Sequence, residues 1–129
     1  MTARIDSHQH FWRISRGDYG WLTPELATLY RDFTPADLLP LLQQAGIDAT
    51  VLVQAAPTVA ETDYLLGLAT RHDFIRGVVG WIDMAAPEAV PTLERLARHP
   101  AFRPALDHWK VLLRASQNEG GRVAQSVEE

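Results

Sequence analysis

The chain has no cysteine in its 129 residues. That excludes disulfides, thiolate ligands and thiol nucleophiles, and it suits a cytoplasmic protein. Positive charge is also scarce. Twelve Lys and Arg face sixteen Asp and Glu, for a net charge of −4, with no basic run, so no nucleic-acid partner is expected. No apolar stretch approaches the roughly 18 residues that span a bilayer, so no membrane partner is expected either. The first residues, Met-Thr-Ala-Arg, lack the charged, apolar and small-residue regions of a signal peptide. Short-period repeats and low-complexity segments are missing too. What remains, 47% hydrophobic and 22% charged, is a globular composition of a length suited to one domain.

Three segments read as strands: Arg4 to Gln9, Ala49 to Gln54 ("ATVLVQ") and Arg76 to Ile82 ("RGVVGWI"). The last two are near-continuous apolar runs, as parallel strands covered on both faces require. Each strand feeds a helix. Thr34 caps one that begins at Pro35 and ends at Gly46. Thr58 and Glu61 have capping-box spacing ahead of "YLLGLA". Pro87 opens a third helix through "EAVPTLERLARH". Pro40 and Pro91 each remove a backbone donor, which predicts a kink or a late helix start. The β-α-β-α-β-α order argues for parallel α/β architecture. Between the first strand and first helix runs a long excursion, Arg13 to Phe33, rich in aromatics. Such connections usually take about 2–6 residues, so this one is either a lid or a packing plug.

The segment "IDSHQHFW", residues 5–12, carries the clearest chemistry. Alternate strand residues share a face, which groups Asp6, His8 and His10. Two imidazoles at the C-terminal end of a strand can ligate one metal ion, zinc above all. The same pattern also arises by accident, and a catalytic zinc usually has three protein ligands and an open position. His72, His99 and His108 read as surface or capping residues. In parallel α/β folds, ligands bind beyond the carboxyl ends of strands. Gln54 and Asp83 are therefore candidates to hydrogen-bond a substrate, and Trp81 to wall a pocket, with Trp81 and Asp83 ending the third strand on a common face. The alternatives are a loop-capping Gln, an Asp that orders a turn, and a packed Trp. No residue is assigned as catalytic.

Taken together, "IDSHQHFW", "DYGWLTPELATLYRDFTPADLLPLLQQAGIDATVLVQAAPTVAETDYLL" and "GVVGWIDM" resemble the sugar-lactonase branch of the amidohydrolase superfamily, which includes L-fuconolactonase-like and L-rhamnonolactonase-like enzymes. The similarity covers roughly residues 3–103. It implies a (β/α)₈ barrel with its active site at the C-terminal face, where a divalent metal or a polar cluster and a water open a lactone. On that resemblance His8 and His10 match the first-strand metal motif. Zinc is the expected ion, although some relatives work without metal.

Such a barrel typically takes about 250 residues. The expected fold is therefore α/β, a partial (β/α)₈ barrel of about three βα units in residues 1–103. Residues 104–129 read as a divergent helix, around Leu106–Leu113, and a polar tail. The resemblance places a further metal-site His and a catalytic Asp on later strands. The expected function is that of a truncated amidohydrolase whose intact form hydrolyses a carbohydrate-derived lactone. The alternative is an inactive remnant, or a small α/β protein that binds a metabolite or partner. An open sheet also predicts self-association through its edges.

Overall fold

The structure, a computed structural model, describes residues 2–102. The expected division after residue 103, the helix around 106–113, the polar tail and His108 lie outside the described residues.

Strands β1 (Ile5–Gln9), β2 (Ala49–Val53) and β3 (Ile75–Val79) form one parallel sheet in the order β1-β2-β3. Helices α1 (Pro35–Ala45), α2 (Val59–Arg71) and α3 (Ala89–Ala97) alternate with them. Short 3-10 turns lie at Ile14–Arg16 and Pro100–Phe102. This is part of a (β/α)₈ barrel, with three consecutive βα units.

The helix boundaries follow local chemistry. Thr34 precedes Pro35 in extended conformation, and the Asp37 carboxylate accepts both the Thr34 N–H at 2.8 Å and its hydroxyl at 2.9 Å. Thr34 and Asp37 thus form a capping box, with the Thr34 hydroxyl also donating to the Asp37 carboxylate. Gly46 ends the helix at φ 65°, a left-handed conformation that suits a residue without Cβ. Pro40 lies inside α1 without ending it. Its missing N–H frees the carbonyl of Ala36, an exposed residue at which water can serve as donor.

Helix α3 starts at Ala89, two residues later than Pro87 suggests. Residues 83–89 instead form consecutive turns, with Ala86 N–H donating to Asp83 O and Ala89 N–H to Ala86 O. Pro91 consequently falls in the first turn, where no intrahelical acceptor awaits an N–H.

The main core lies between the sheet and α2 and α3. Leu52, Ile75 and Val78 from the strands meet Leu65, Leu66 and Leu68 from α2, with Leu96, Phe11 and Phe102 around them. Each such burial is worth about 1.5–3 kcal/mol before entropy is counted. A second, smaller cluster of Trp12, Tyr19, Leu22 and Ala56 lies under the excursion. The excursion is a packed plug. Trp12 and Phe33 pair across its neck through backbone bonds of 3.1 and 3.0 Å, and the Trp12 indole donates to Arg31 O at 2.8 Å. The Trp12 ring makes edge contacts with Trp21 and Phe33.

Candidate active site at the strand ends

His8 lies on β1 and His10 one residue beyond it, with ring centroids 5.0 Å apart and planes at 77°. Both are exposed, while Gln9 and Phe11 turn inward and are buried. Nδ1 of His10 lies 2.9 Å from the Val53 carbonyl. A carbonyl oxygen only accepts, so Nδ1 carries a proton, and in the neutral ring the lone pair lies on Nε2. A backbone acceptor of this kind orients metal-binding histidines generally. The pair therefore fits part of a metal site, with the His10 ring held from behind through Nδ1 and Nε2 facing away from that bond.

Asp6 does not join them in a metal-ligand group. Between Asp6 and Gln9 the register slips, with three residues of β1 set against two of β2. At this bulge the Asp6 carboxylate accepts the His8 backbone N–H at 3.1 Å. Among the described residues, no group of three or more His, Asp or Glu converges as a metal site. His72 caps the end of α2 through its backbone. His99 lies 2.7 Å from Thr70 Oγ1 and accepts the Ala101 N–H.

Gln54 follows β2 directly, and its backbone N–H donates to Val79 O at 2.8 Å. The placement of Trp81 and Asp83 needs correction. β3 ends at Val79, so neither residue is on the strand and alternation does not set a common face. Both occupy the loop beyond it, still at the sheet's C-terminal end. Trp81 is half-buried, and its N–H and C=O both bond Thr62 Oγ1, at 2.7 and 2.8 Å. Asp83 is exposed, and its Oδ1 accepts the Ala85 N–H at 3.0 Å, ordering the turn.

The strongest electrostatic feature is one that the sequence reading gave a different role. Thr58 does cap α2, accepting the Glu61 N–H at 3.0 Å. The Glu61 carboxylate does not reach back to complete a capping box. It is fully buried. Oε1 accepts from Arg16 at 2.7 Å and from the Tyr19 hydroxyl at 2.8 Å, and Oε2 accepts the Ala55 N–H at 2.9 Å. Asp18 completes the cluster, bonding Arg16 at 3.1 Å and the Thr58 hydroxyl at 2.9 Å. Arg16 also stacks over the Tyr64 ring at 4.2 Å.

Burial first, and then the Glu61 carboxylate, push the Tyr19 phenol well above its ordinary value of 10.0. For Arg16, burial works to lower the guanidinium, but Tyr19, Glu61 and Asp18 outweigh it and the net shift is upward. A strand-helix sequence pattern carries no signal for these pairs, because Arg16 and Glu61 are 45 positions apart. The Thr58–Glu61 spacing marked the right residues and suggested only a local role.

Three parallel strands with helices between them, and a His-x-His at the carboxyl end of the first strand, are the arrangement of a partial (β/α)₈ barrel. The amidohydrolase family model matches residues 5–122, and the chain belongs to that family. It is 48% identical over 103 residues to an L-fucono-1,5-lactonase of Burkholderia ambifaria, which covers 80% of this chain and 36% of the relative. An amidohydrolase from Burkholderia multivorans, crystallised with HEPES, superposes with a TM-score of 0.72 at 39% identity, over 79% of this chain and 35% of the other. A zinc-bound crystal form of an amidohydrolase from the same species gives a TM-score of 0.65 at 43% identity, over 74% and 33%. The chain thus spans about a third of the length of the relatives it matches. No helix among the described residues is long and apolar enough to cross a membrane.

Proposed function

We propose that this chain carries the first-strand part of a hydrolase site that opens a carbohydrate-derived lactone with an activated water. The observation behind this reading is the His8–His10 pair at the end of β1, with the Val53 carbonyl holding the His10 ring through Nδ1 and leaving Nε2 as the ligand atom. The lactonase name of the B. ambifaria relative supports the substrate class, and the zinc-bound B. multivorans structure supports the ion.

His8 and His10 would hold a divalent metal, zinc by preference. When bound, it would supply water activation and carbonyl polarisation. Gln54 offers its side-chain amide at the end of β2, and Trp81 an indole wall beyond β3. Asp83 offers a substrate only the oxygen that its turn leaves over. No side chain is assigned as the catalytic acid or base. The cysteine-free composition supports a cytoplasmic home.

Zinc binding by this pair is weak, since two imidazoles are fewer than the three protein ligands of a typical catalytic site. Calorimetric titration tests the assignment, comparing the unmodified protein with the His8→Ala/His10→Ala variant. Weak binding lost in the variant supports it, and tight binding that survives puts the ion elsewhere. Zinc-independent lactone turnover that still needs His8 would point to the metal-free route.

A second reading, an inactive remnant or a small binding protein, is favoured by the lack of a third converging ligand among the described residues. It predicts no turnover of a sugar-lactone panel by the isolated chain. Either reading includes self-association, because β1 and β3 are both edge strands in the described sheet. A mass in solution equal to one chain would refute that part.

A further inference from the structure

We propose that the adjacent residues Glu61 and Thr62, in the first turns of α2, form a single positioning device for the loops after all three strands. This rests on the reading that the strand ends form the site. Both side chains are fully buried. Hydrophobic packing does not call for two polar groups there, and burying them is favourable only if their bonds are made.

Their bonds all lead to the site end of the sheet. Glu61 faces the loops after β1 and β2. It accepts from Arg16 and Tyr19 of the excursion, and from the Ala55 N–H, one residue beyond Gln54. Thr62 faces the loop after β3 and holds both backbone groups of Trp81 on one oxygen. The fit on this side is tight enough to dictate a neighbour. A Cβ built on Gly80 would lie 2.3 Å from Thr62 Cγ2 and 2.8 Å from its Oγ1. Gly80 therefore lets the chain leave β3 directly against α2, and the next residue is Trp81.

The two side chains divide the work. Glu61 sets the stretch that carries Gln54, and Thr62 sets the stretch that carries Trp81. Because consecutive helical residues point about 100° apart, one helical turn can reach loops on both sides of it. Their side-chain hydrogen bonds go to Arg16, Tyr19, Ala55 and Trp81, so both act through the residues they hold.

Amide hydrogen exchange by NMR on the full chain tests this. In the unmodified protein, the Ala55 and Trp81 amides lie outside helices and strands. They nevertheless exchange at least about tenfold more slowly than the exposed-loop amides of Ala27 and Thr28. Exchange at exposed-loop rates in the unmodified protein overturns the proposal, whatever any variant does. Thr62→Val keeps the shape and removes the hydroxyl. It should release the Trp81 amide and shift its resonance, leaving Ala55 protected. Thr62→Ser retains the hydroxyl and should restore Trp81 protection. Glu61→Gln should do the converse, disturbing Ala55 and Tyr19 but not Trp81. Equal effects of all three variants on both amides would mean general loosening and would refute the division of roles.

Adding L-fucono-1,5-lactone as a probe keeps the two readings apart. If the unmodified protein shows no shift at Gln54 or Trp81, the lactone reading fails, while the exchange data still decide the positioning claim. If it does shift, Thr62→Val should weaken the response at least about tenfold and Thr62→Ser should recover it.

Discussion

Helices α1 and α2 are similar in length, 11 and 13 residues, and follow successive strands of one sheet, yet only α2 is sunk into it. α2 buries Glu61, Thr62, Leu65, Leu66 and Leu68. α1 buries Pro35 and Leu42 and leaves Leu41 58% exposed. Position explains the contrast better than composition, since both helices are leucine-rich. α2 connects β2 to β3 and has strand, helix and 3-10 turn around it. α1 follows β1, an edge strand, and a groove of about 120 Å³ opens between it and the strand end, lined by His10, Phe11, Phe33, Leu38 and Leu41 among others. An amphipathic pattern states which face of a helix wants cover. It does not state whether the cover is present.

The sharpest way to break this comparison is to truncate equivalent leucines. Leu65→Ala in α2 should cost about 2–5 kcal/mol, the range for a buried leucine that leaves a cavity. Leu41→Ala in α1 should stay within about 0.5 kcal/mol. Urea denaturation of both variants checks the pair, and equal losses would mean that α1 is covered in solution.

The next effect is a pH response confined to the α2 side. Tyr19 is neutral and bonded in the folded chain, with its phenol raised above 10.0 by burial and by Glu61. A raised folded value contributes stability that is complete below the unfolded value of 10.0 and is lost as pH climbs towards the folded one. Stability should therefore fall above pH 10 by up to about 1.4 kcal/mol per pH unit for this group. Tyr19→Phe should flatten part of that slope, and identical slopes would argue against the assignment.

A smaller change is expected at the start of α1. Thr34→Ala should lower stability by about 1 kcal/mol, as losses at helix N-caps do. Here the lost bond is the hydroxyl's to Asp37. A thermal melt would show this as a modest drop.

The smallest effect on stability has a separate signature. Leu41→Gln should leave the unfolding midpoint nearly unchanged, because surface changes usually stay within about 0.5 kcal/mol. It should still reduce the associated fraction in sedimentation, provided the α1 flank takes part in self-association.

Much of the scaffold was legible because its signals are local. The β-branched run at 49–53, Pro35 after Thr34, and Gly46 each specify backbone through their own chemistry, and the elements fall within a residue or two of where those signals put them. The miss at β3 has a tertiary cause. "RGVVGWI" reads as one strand to Ile82, but Gly80 turns the chain against Thr62, a contact between residues 18 positions apart. The register slip beside Asp6 was not legible for a similar reason, since it is defined by the partner strand. At the candidate site, His8 and His10 stood out because their spacing, one on β1 and one just past its end, is enough to bring the two rings together. Glu61 did not, because its partners Arg16 and Tyr19 come from a segment whose path no local rule dictates.

The neck of the excursion has a consequence for how such a scaffold can change. Because Trp12 and Phe33 pair, residues 13–32 leave the sheet and return to it at one place. The run from Thr23 to Tyr30 is exposed throughout, and its backbone bonds close local turns within the run. Doubling the length of a loop pinned in this way costs only about 0.6 kcal/mol of closure entropy. This stretch can therefore be lengthened, shortened or exchanged while the strand ends stay in place, so new surface can be grafted beside the site without retuning the barrel beneath it.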